Sequence, residues 1–384
     1  MMKKVFDILL VLLITCVGIL FGNDNVGRTA GTFLKIPIGS RKIGMAEAFT
    51  AVADDPYALT GNVAGIARNR DLEISFSHTE WFQDVNYEFL AFSKSFFKGF
   101  LGLDSTMGVA LNYLHLPVFN SYNDWGEVIE QVGFSDYALT LGYAQNLGFL
   151  NAGIGIRYIN EVAEGQGDGA LTFNLGLLYA LHLPAFQILN HKFLARVLDI
   201  GFLVENWDMG TSIANYSTPV SYKLGLATRL FDNFLTALDV QIPLDNTIRV
   251  NTGLEYSINK MFFFRFGYRF FGYDVDSYTM GIGGHFALAG KIIKLDAAFA
   301  PASGLGNTFN FSLSMNYPGK ISDGSRKDAQ ILYYKGIYFF TSGEYDKAIA
   351  LWKEALKLDP KFKKAIDKIK EAENLKEMKK IEGE

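Results

Sequence analysis

The pattern that most constrains the fold is a strict alternation of apolar and polar residues in the last regular segment, residues 307–317. From Phe309 to Tyr317 every odd position is apolar, and every even position between them is Asn or Ser. Because side chains on a strand point alternately to its two faces, this segment is a strand with one apolar and one hydrophilic face. Its length is about the ten residues that a tilted strand needs to cross a hydrocarbon layer.

Thirteen windows upstream have the same strand character. In window 261–271, for example, an aromatic row opposes a row that contains Arg265 and Arg269. The sequence therefore predicts an all-β membrane barrel of about 14 antiparallel strands. The fourteen windows are 72–79, 86–97, 106–116, 135–146, 151–159, 170–181, 196–206, 219–230, 234–242, 248–258, 261–271, 278–288, 291–300 and 307–317; the first, second and ninth have the weakest pattern.

Alternation alone does not identify the dry face, because a soluble sandwich buries its apolar rows whereas a membrane barrel turns them outward. The windows are longer than the common soluble strand of about five or six residues. Long connections at 117–134, 160–169 and 207–218 alternate with short ones, as in outer-membrane barrels, although 182–195 is long where a short link is expected. Many apolar rows end in tyrosine, as an interfacial girdle requires: Tyr113, Tyr143, Tyr158, Tyr179, Tyr256 and Tyr317.

An even strand count places both ends of the barrel, and the C-terminal tail, on one side of the outer membrane, which we expect to be the periplasmic side. We also expect the N-terminal segment to enter the lumen from that side. The hydrophilic face would line the lumen, with its charges paired across it; the solvated face of a soluble sheet is the alternative. The lumen-lining candidates are Arg157, Glu205, Arg229, Arg249, Glu255, Arg265, Arg269 and His285.

Composition narrows the function classes. The 384 residues carry a net charge of -4 and show no long basic patch, which argues against a nucleic-acid partner. The five histidines are scattered and no Cys-x-x-Cys spacing occurs, so we expect no metal site. Paired glycines such as Gly153/Gly155 and Gly281/Gly283 lie within strands, where they favour relief of crowding over nucleotide binding. We expect no cofactor, no catalytic residue and no enzymatic activity.

Residues 1–22 predict a secretory signal peptide. Lys3 and Lys4 precede a largely apolar stretch that ends at Gly22, before Asn23 and Asp24. An uncleaved membrane anchor is the alternative, because the residues before Gly22 are bulkier than a usual cleavage site. Downstream no apolar run reaches the length of a membrane helix.

Residues 23–70 predict a compact plug, or hatch, inside the barrel lumen. Small residues dominate 44–53, and small residues let short helical turns pack in a confined space. Asp54, Asp55, Pro56 and Gly61 punctuate the turns that follow. A helical cap on a soluble β-domain is the alternative.

The hatch segment carries the sequence's one specific resemblance. The order Phe-Leu-x-Ile-Pro-Ile-Gly-x-Arg, Gly-Met-x-x-Ala, Ala-Val-Ala-Asp-Asp and Asn-x-Ala-Gly-Ile, between residues 33 and 66, resembles the PorV/PorQ-like family, relatives of the fatty-acid transporter FadL. The resemblance implies a hatch inside a fourteen-stranded outer-membrane barrel. The family's Asn-Pro-Ala-Gly is here Asn62-Val63-Ala64-Gly65, and losing the proline frees one backbone torsion. The matched hatch motif residues are Gly44, Met45, Asp54, Asp55, Asn62, Ala64 and Gly65.

The tail, residues 319–384, changes to a Lys- and Glu-rich composition with helical periodicity. One set of positions has the spacing of a tetratricopeptide repeat, in which small residues let two helices approach and aromatic residues fill the seam. A single repeat falls below the roughly three that such arrays need for autonomous stability, so we expect the tail to lean on the barrel rim, a second copy or a partner peptide; a solvated helical pair is the alternative. The packing positions are Leu332, Gly336, Phe339, Ala348, Trp352, Ala355 and Pro360.

Two functions are compatible with these features. The first is a FadL-like outer-membrane channel for a small hydrophobic compound, gated by the hatch; the resemblance implies the ligand class. The second is a non-enzymatic outer-membrane platform for secretion or envelope assembly, which binds a periplasmic or secreted protein through its loops or tail. In both, membrane lipid surrounds the barrel. The fold alone does not separate them.

Overall fold

A computed structural model of the chain forms two compact units, divided between Tyr317 and Pro318. The N-terminal unit holds the barrel and the hatch, and the C-terminal unit holds the helical tail. Among the described residues no helix is long and apolar enough to span a bilayer. The structure describes residues 27–69, 71–81, 84–96, 103–148, 150–163, 166–183, 186–188, 191–193, 196–231, 233–270, 277–288, 291–302, 306–317, 329, 332–333, 336–337, 339–340, 344–358 and 362–381. The predicted signal peptide, residues 1–22, lies outside them.

Fourteen antiparallel strands close into a barrel, and the predicted fold class is confirmed. Closure is made by β1 pairing with β18, where Leu72 lies opposite Tyr317. Closure leaves no unpaired sheet edge, which is the condition for a sheet in lipid. The barrel strands are β1 (Leu72–Glu80), β2 (Asn86–Phe96), β3 (Ser105–His115), β6 (Phe134–Asn146), β7 (Leu150–Ala163), β8 (Gln166–Leu183), β11 (Arg196–Trp207), β12 (Ser221–Phe231), β13 (Phe234–Pro243), β14 (Arg249–Ile258), β15 (Phe262–Phe270), β16 (Ser277–Leu288), β17 (Lys291–Ala302) and β18 (Gly306–Tyr317).

All fourteen predicted windows coincide with barrel strands, including the three with the weakest pattern. Four further short strands lie in the connections. β4 (Phe119–Tyr122) and β5 (Val128–Val132) form a hairpin between β3 and β6. β9 (Phe186–Ile188) and β10 (His191–Phe193) form another between β8 and β11, which accounts for the long link where a short one is expected.

The two faces of the wall differ sharply. Inward-facing positions are polar or small and buried, as at Ser75, Thr140 and Asn174. Outward-facing positions are apolar and exposed, and this is the side-chain arrangement of a membrane β-barrel. Exposed outer residues include Leu90, Phe92, Met107, Val109, Leu111, Leu139, Leu141, Ile154, Ile156, Leu175, Leu177, Leu226, Leu238, Leu254, Phe264, Phe266, Met280, Ile282, Leu295, Phe309, Phe311 and Leu313.

The hatch, residues 27–69, runs through the lumen from one end to the other. We call the end where β1 begins and β18 finishes the terminal end, and the opposite end, which carries the β4–β5 hairpin, the loop end. The amide of Ala30 donates to the carbonyl of Ser217, 3.0 Å away in the β11–β12 connection at the loop end. Near the terminal end, Ser95 donates to the carbonyl of Asn69 at 2.6 Å.

The expectation that the hatch enters from the side of the barrel termini is therefore wrong. Glu161 accepts the amide of Gly31 at 2.7 Å, and Lys35 forms an ion pair with Asp245; both wall groups lie near the loop end. The strand count fixes where β1 and β18 lie, but polar contacts with the loops decide where the segment before them begins.

The C-terminal unit contains helices α2 (Tyr345–Leu358) and α3 (Lys363–Ile381). Ala348, Trp352, Ala365, Ile369 and Ala372 form a buried cluster between them. The indole of Trp352 donates to the carbonyl of Tyr333 at 2.9 Å, which ties the segment before α2 to this core. The tail thus has a small core of its own.

Candidate functional site: the hatch and the lumen

The hatch consists of short helical turns that have no core separate from the wall. Helix α1 (Ser40–Gly44) is followed by 3-10 turns at Pro56–Thr60 and Val63–Arg68. Asp55 caps the first of these turns by accepting the amide of Tyr57 at 3.1 Å, with Pro56 at the start where a missing N–H has no cost. The same apolar cluster contains hatch and wall side chains together. The barrel therefore completes the fold of the hatch.

A belt of inward-facing glycines gives the hatch its room. Every strand between β3 and β16 except β13 contributes one glycine beside the hatch. At eight of the nine, an added Cβ would lie under 3.0 Å from a hatch atom, and at Gly281 it would lie 3.1 Å from the Cα of Gly44. We call these strands the glycine arc, with Gly108, Gly142, Gly153, Gly176, Gly201, Gly225, Gly253, Gly267 and Gly281.

The rest of the wall uses hydroxyl and amide groups. We call β17, β18 and β1 the polar arc, whose inward positions include Ser75, Ser77, Thr79, Asn310, Ser312 and Ser314. The amide of Ser40 donates to the hydroxyl of Ser312 at 2.8 Å. The Ser40 hydroxyl also donates to the side chain of Asn310 at 2.6 Å. These bonds attach the start of α1 to β18.

A buried network of ion pairs joins the two arcs through Arg41. The Arg41 guanidinium binds both carboxylate oxygens of Glu255, at 2.8 and 3.2 Å, and contacts Asp54 at 2.5 Å. Glu255 also accepts from Arg265 at 2.8 Å, and Arg265 contacts Asp296 at 2.6 Å. Burial by itself would lower the pKa of Arg41, but the charges of Asp54 and Glu255 raise it well above its usual value. The hatch is thus held at one point by a fully charged, bidentate pair.

The other hatch motif residues pack closely. Gly44 lies against Gly281, and a Cβ at Gly65 would collide with Ala53. Asn62 donates to the carbonyls of Thr50 and Leu177, at 2.8 and 3.1 Å. The backbone of Met45 abuts Gly253, and that of Ala64 abuts Gly153.

The eight lumen-lining candidates all lie on inward-facing positions, but they do not share one environment. Arg157, Glu205, Glu255 and Arg265 are buried. Arg249, Arg269 and His285 are partly buried, and Arg229 is exposed. Several charges pair along the wall or with the hatch, because the hatch occupies the middle of the lumen. Lys223, for example, binds Glu205 at 2.9 Å on the neighbouring strand.

A polar cavity of about 620 Å³ remains between the hatch and the wall, toward the loop end. Its lining includes Lys42 and Glu47 of the hatch, Arg157 and Lys223 of the wall, and Asp245 of the β13–β14 connection. The cavity can hold water and small hydrophilic solutes, and its charged lining is unsuited to an apolar molecule.

The outer wall carries an apolar groove of about 1180 Å³ across β15 to β18 and β1. Gly284 lies opposite Phe262 and Leu295, and Ala297 lies opposite Ile282 and Phe311. Small residues among large apolar ones leave the concave surface. Its rim includes Phe76, Phe262, Phe264, Ile282, Leu295, Phe311 and Leu313.

In the tail, the structure brings together several of the predicted packing positions. A Cβ at Gly336 would lie under 3.0 Å from the indole of Trp352, so only glycine fits there without movement of the ring. Ala348, Trp352 and Ala355 are fully buried, and Phe339 packs against the cluster. Leu332 is partly buried, and Pro360 lies outside the described residues.

Sequence reasoning missed the glycine arc and the role of Arg41. The strand glycines were attributed to crowding in a curved wall, whereas the structure places them against the hatch backbone. A detectable signal was present, since nearly every window from 106 to 288 carries a glycine near its middle. Arg41 gave no such signal, because its partner Glu255 is 214 positions away.

Two family models match the chain. The model of an uncharacterised protein family, UPF0164, matches residues 20–128, which is less than half of the sequence. A tetratricopeptide repeat model matches residues 329–362 and confirms the predicted repeat. No curated protein matches the sequence.

Several solved barrels are similar in structure. The toluene transporter TbuX of Ralstonia pickettii has a TM-score of 0.47 at 11% identity, covering 73% of this chain and 97% of its own. The toluene transporter TodX of Pseudomonas putida has 0.45 at 12%, covering 68% and 93%. A Pseudomonas aeruginosa FadL homologue has 0.45 at 11%, covering 73% and 98%. At these values the barrel is defined by this chain's own strand pairing.

Proposed function

We propose that this protein is an outer-membrane channel that its hatch holds closed. The observation that carries the proposal is that residues 27–69 fill a closed fourteen-stranded barrel whose outer face is apolar. In such a membrane the terminal end and the tail face the periplasm, and the loop end faces outward. Passage of a solute through the lumen requires the hatch to move, and only non-covalent contacts with the wall oppose that movement.

Conductance in planar bilayers tests the gate. Wild-type protein should be almost silent, whereas a variant lacking residues 44–66 should form a stable pore. The hydroxyl oxygens of Ser40 and Ser312 lie 2.9 Å apart, so the double variant Ser40→Cys/Ser312→Cys should form a disulfide that fixes the hatch to β18. The oxidised double variant should show no openings, and reduction should restore the wild-type level.

The single variants Ser40→Cys and Ser312→Cys are the controls for the disulfide, since neither can cross-link. Heat-modifiable migration on a gel checks that each barrel is intact. An intact deletion variant with no conductance would contradict the channel proposal, because removing the plug from a closed barrel must open its lumen.

The substrate class expected from the family resemblance is a small hydrophobic compound, and it stays a prediction. The outer-wall groove around Gly284 supports it better than the polar lumen cavity does. Liposomes that carry the protein should take up a hydrophobic fluorescent probe, and Gly284→Leu should slow uptake by filling the groove. Gly133→Leu, a substitution in the β5–β6 link outside the groove, is the control; equal uptake by both variants would exclude the groove as the route.

A second candidate function is a platform for envelope proteins. The tetratricopeptide repeat match at residues 329–362 supports it, because such helical pairs commonly present a surface to a partner. Full-length protein and a variant lacking residues 322–384 should be compared in cross-linking with envelope extracts. The platform proposal expects a cross-linked envelope protein that depends on the tail, and identical cross-linking patterns would contradict it.

A further inference from the structure

The lumen cavity carries an excess of positive charge. Five of its lining residues are basic, namely Lys35, Lys42, Arg157, Lys223 and Arg249, and three are acidic, namely Glu47, Glu205 and Asp245. The difference, five minus three, is a formal charge of two positive units. A cavity enclosed by protein screens such a charge poorly, so the excess matters more here than on a surface.

Two of the acidic groups are already engaged by bases. Asp245 pairs with Lys35, and Glu205 pairs with Lys223 at 2.9 Å. These pairs leave Lys42 and Arg157 as the buried cations whose charge is not matched by a contacting carboxylate.

Lys42 lies on α1 and is only 9% exposed. Within the part of the chain that the structure describes, its ammonium group makes no ion pair and no hydrogen bond. Burial, and then the neighbouring ammonium of Lys223, lower the pKa of Lys42. A buried cation without a counter-ion is costly, so its environment favours the arrival of an anion.

Arg157 adds to the same field. Its guanidinium donates to three neutral oxygens: the hydroxyl of Thr140 at 3.0 Å, the amide oxygen of Asn206 at 2.6 Å and the carbonyl of Leu59 at 3.3 Å. These bonds satisfy its donors but leave its charge uncompensated. With 3% exposure, Arg157 is held in place with its charge directed at the cavity.

We propose that this cavity is a binding site for a small hydrophilic oxyanion, such as a carboxylate or a phosphate, with Lys42 as its ion-pair partner and Arg157 as its fixed positive neighbour. The lining is too polar for an acyl chain. The cavity borders Pro219 and Asp245, which belong to connections at the loop end, so the anion is a free solute that arrives from that end and not a lipid headgroup. Binding needs no movement of the hatch and is therefore independent of the gating proposal.

Full-length protein in detergent, titrated with inorganic phosphate and with acetate against chloride at equal ionic strength, tests the site. The melting temperature of wild-type protein should rise saturably with the oxyanion. Lys42→Met should weaken the response by about tenfold or more, corresponding to loss of one charge-assisted contact. In chloride alone Lys42→Met should melt no lower than wild type, because an unpaired buried charge has been removed.

Three further variants make the result decisive. Lys42→Arg should keep the response, Lys42→Gln should lose it like Lys42→Met, and Lys260→Met, in the exposed β14–β15 turn, should behave as wild type. Phosphorus NMR line broadening gives a second readout of phosphate binding that does not depend on melting. An equal response in wild type and in either neutral variant, or no saturable response in wild type, would overturn the proposal. A response to phosphatidic acid vesicles but not to free phosphate or acetate would overturn the assignment to a solute.

Discussion

The glycine arc and the polar arc of the same barrel hold the hatch in different ways. On the glycine arc the hatch backbone touches the wall through the space of missing side chains, as where Thr50 and Ala51 lie against Gly201. On the polar arc Ser40 is held by hydrogen bonds from Ser312 and Asn310. The first kind of contact sets the shape that the hatch must adopt. The second kind, with the Arg41 network, sets how firmly it stays.

This division has a physical basis. Close packing against glycine gains dispersion energy, but it tolerates no added volume, since protein interiors are already close-packed. Hydrogen bonds and ion pairs in a lumen that water can enter can be exchanged for bonds to water at a modest net cost. A plug that must be specific in shape yet releasable would use both, and four substitutions can separate the contributions.

The largest expected effect is at Glu255, which joins the hatch to the wall. Glu255→Ala leaves Arg41 and Arg265 without their shared carboxylate, and breaking a buried pair in this way costs about 3–5 kcal/mol. The hatch should exchange its amide hydrogens faster, and channel openings should become frequent. Glu255→Gln, which keeps the shape and some hydrogen bonds, should have a smaller effect. Wild-type exchange in Glu255→Ala would show that the ion network does not hold the hatch.

The next effect is at Gly201, in the glycine arc. A Cβ there would lie under 3.0 Å from the backbone of Thr50 and Ala51, which cannot rotate away as a side chain could. Gly201→Val should displace the middle of the hatch at a cost of about 1–3 kcal/mol, with a matching rise in bilayer conductance.

Gly133→Val is the matched control, because a Cβ at Gly133 meets only a side-chain atom at 3.5 Å. If both variants conduct like wild type while their barrels remain intact, the glycine arc does not confine the hatch.

The same division explains how much of the molecule could be predicted from sequence. The wall was predictable because alternation is a local signal: window 307–317 and β18 differ by one residue. The hatch contacts were not, because they join residues far apart in the chain. Ser40 and Ser312 are separated by 272 positions, and nothing in the local pattern around either indicates the other. The entry of the hatch at the loop end failed for the same reason, since it depends on pairs such as Lys35 with Asp245.

A smaller effect is expected at Ser312 in the polar arc. Ser312→Ala removes the acceptor for the amide of Ser40, and the net loss for one such hydrogen bond is about 1 kcal/mol. The start of α1 should exchange faster while the turns at 56–68 remain protected. Thr308→Ala is the control, because the Thr308 hydroxyl donates to the carbonyl of Ala300 within the wall. If Ser312→Ala released the whole hatch, the polar arc would hold more of it than this comparison allows.

The smallest expected effect depends on pH and concerns Asp55, which shares Arg41 with Asp54. Burial, and then the charge of Asp54, raise the pKa of Asp55 from 3.8 to about 7. A carboxyl whose pKa is higher in the bound hatch than in a released one holds its proton more tightly when bound, so attachment weakens as pH rises from about 4 to about 7. Burial opposes ionisation of Asp54 too, but the charge of Arg41 holds its pKa below the usual value, which limits the net effect.

Asp55→Asn keeps an oxygen that can accept the amide of Tyr57 but cannot ionise, so it isolates the charge of Asp55 from its capping role. Wild-type hatch amides should exchange more slowly at pH 5 than at pH 8 after correction for the intrinsic pH dependence of exchange, and Asp55→Asn should remove most of that difference. Asp71→Asn, outside the network near the start of β1, should keep it. A pH dependence that persists in Asp55→Asn would assign the titration to another group and leave the Arg41 pairs as contacts that do not respond to pH.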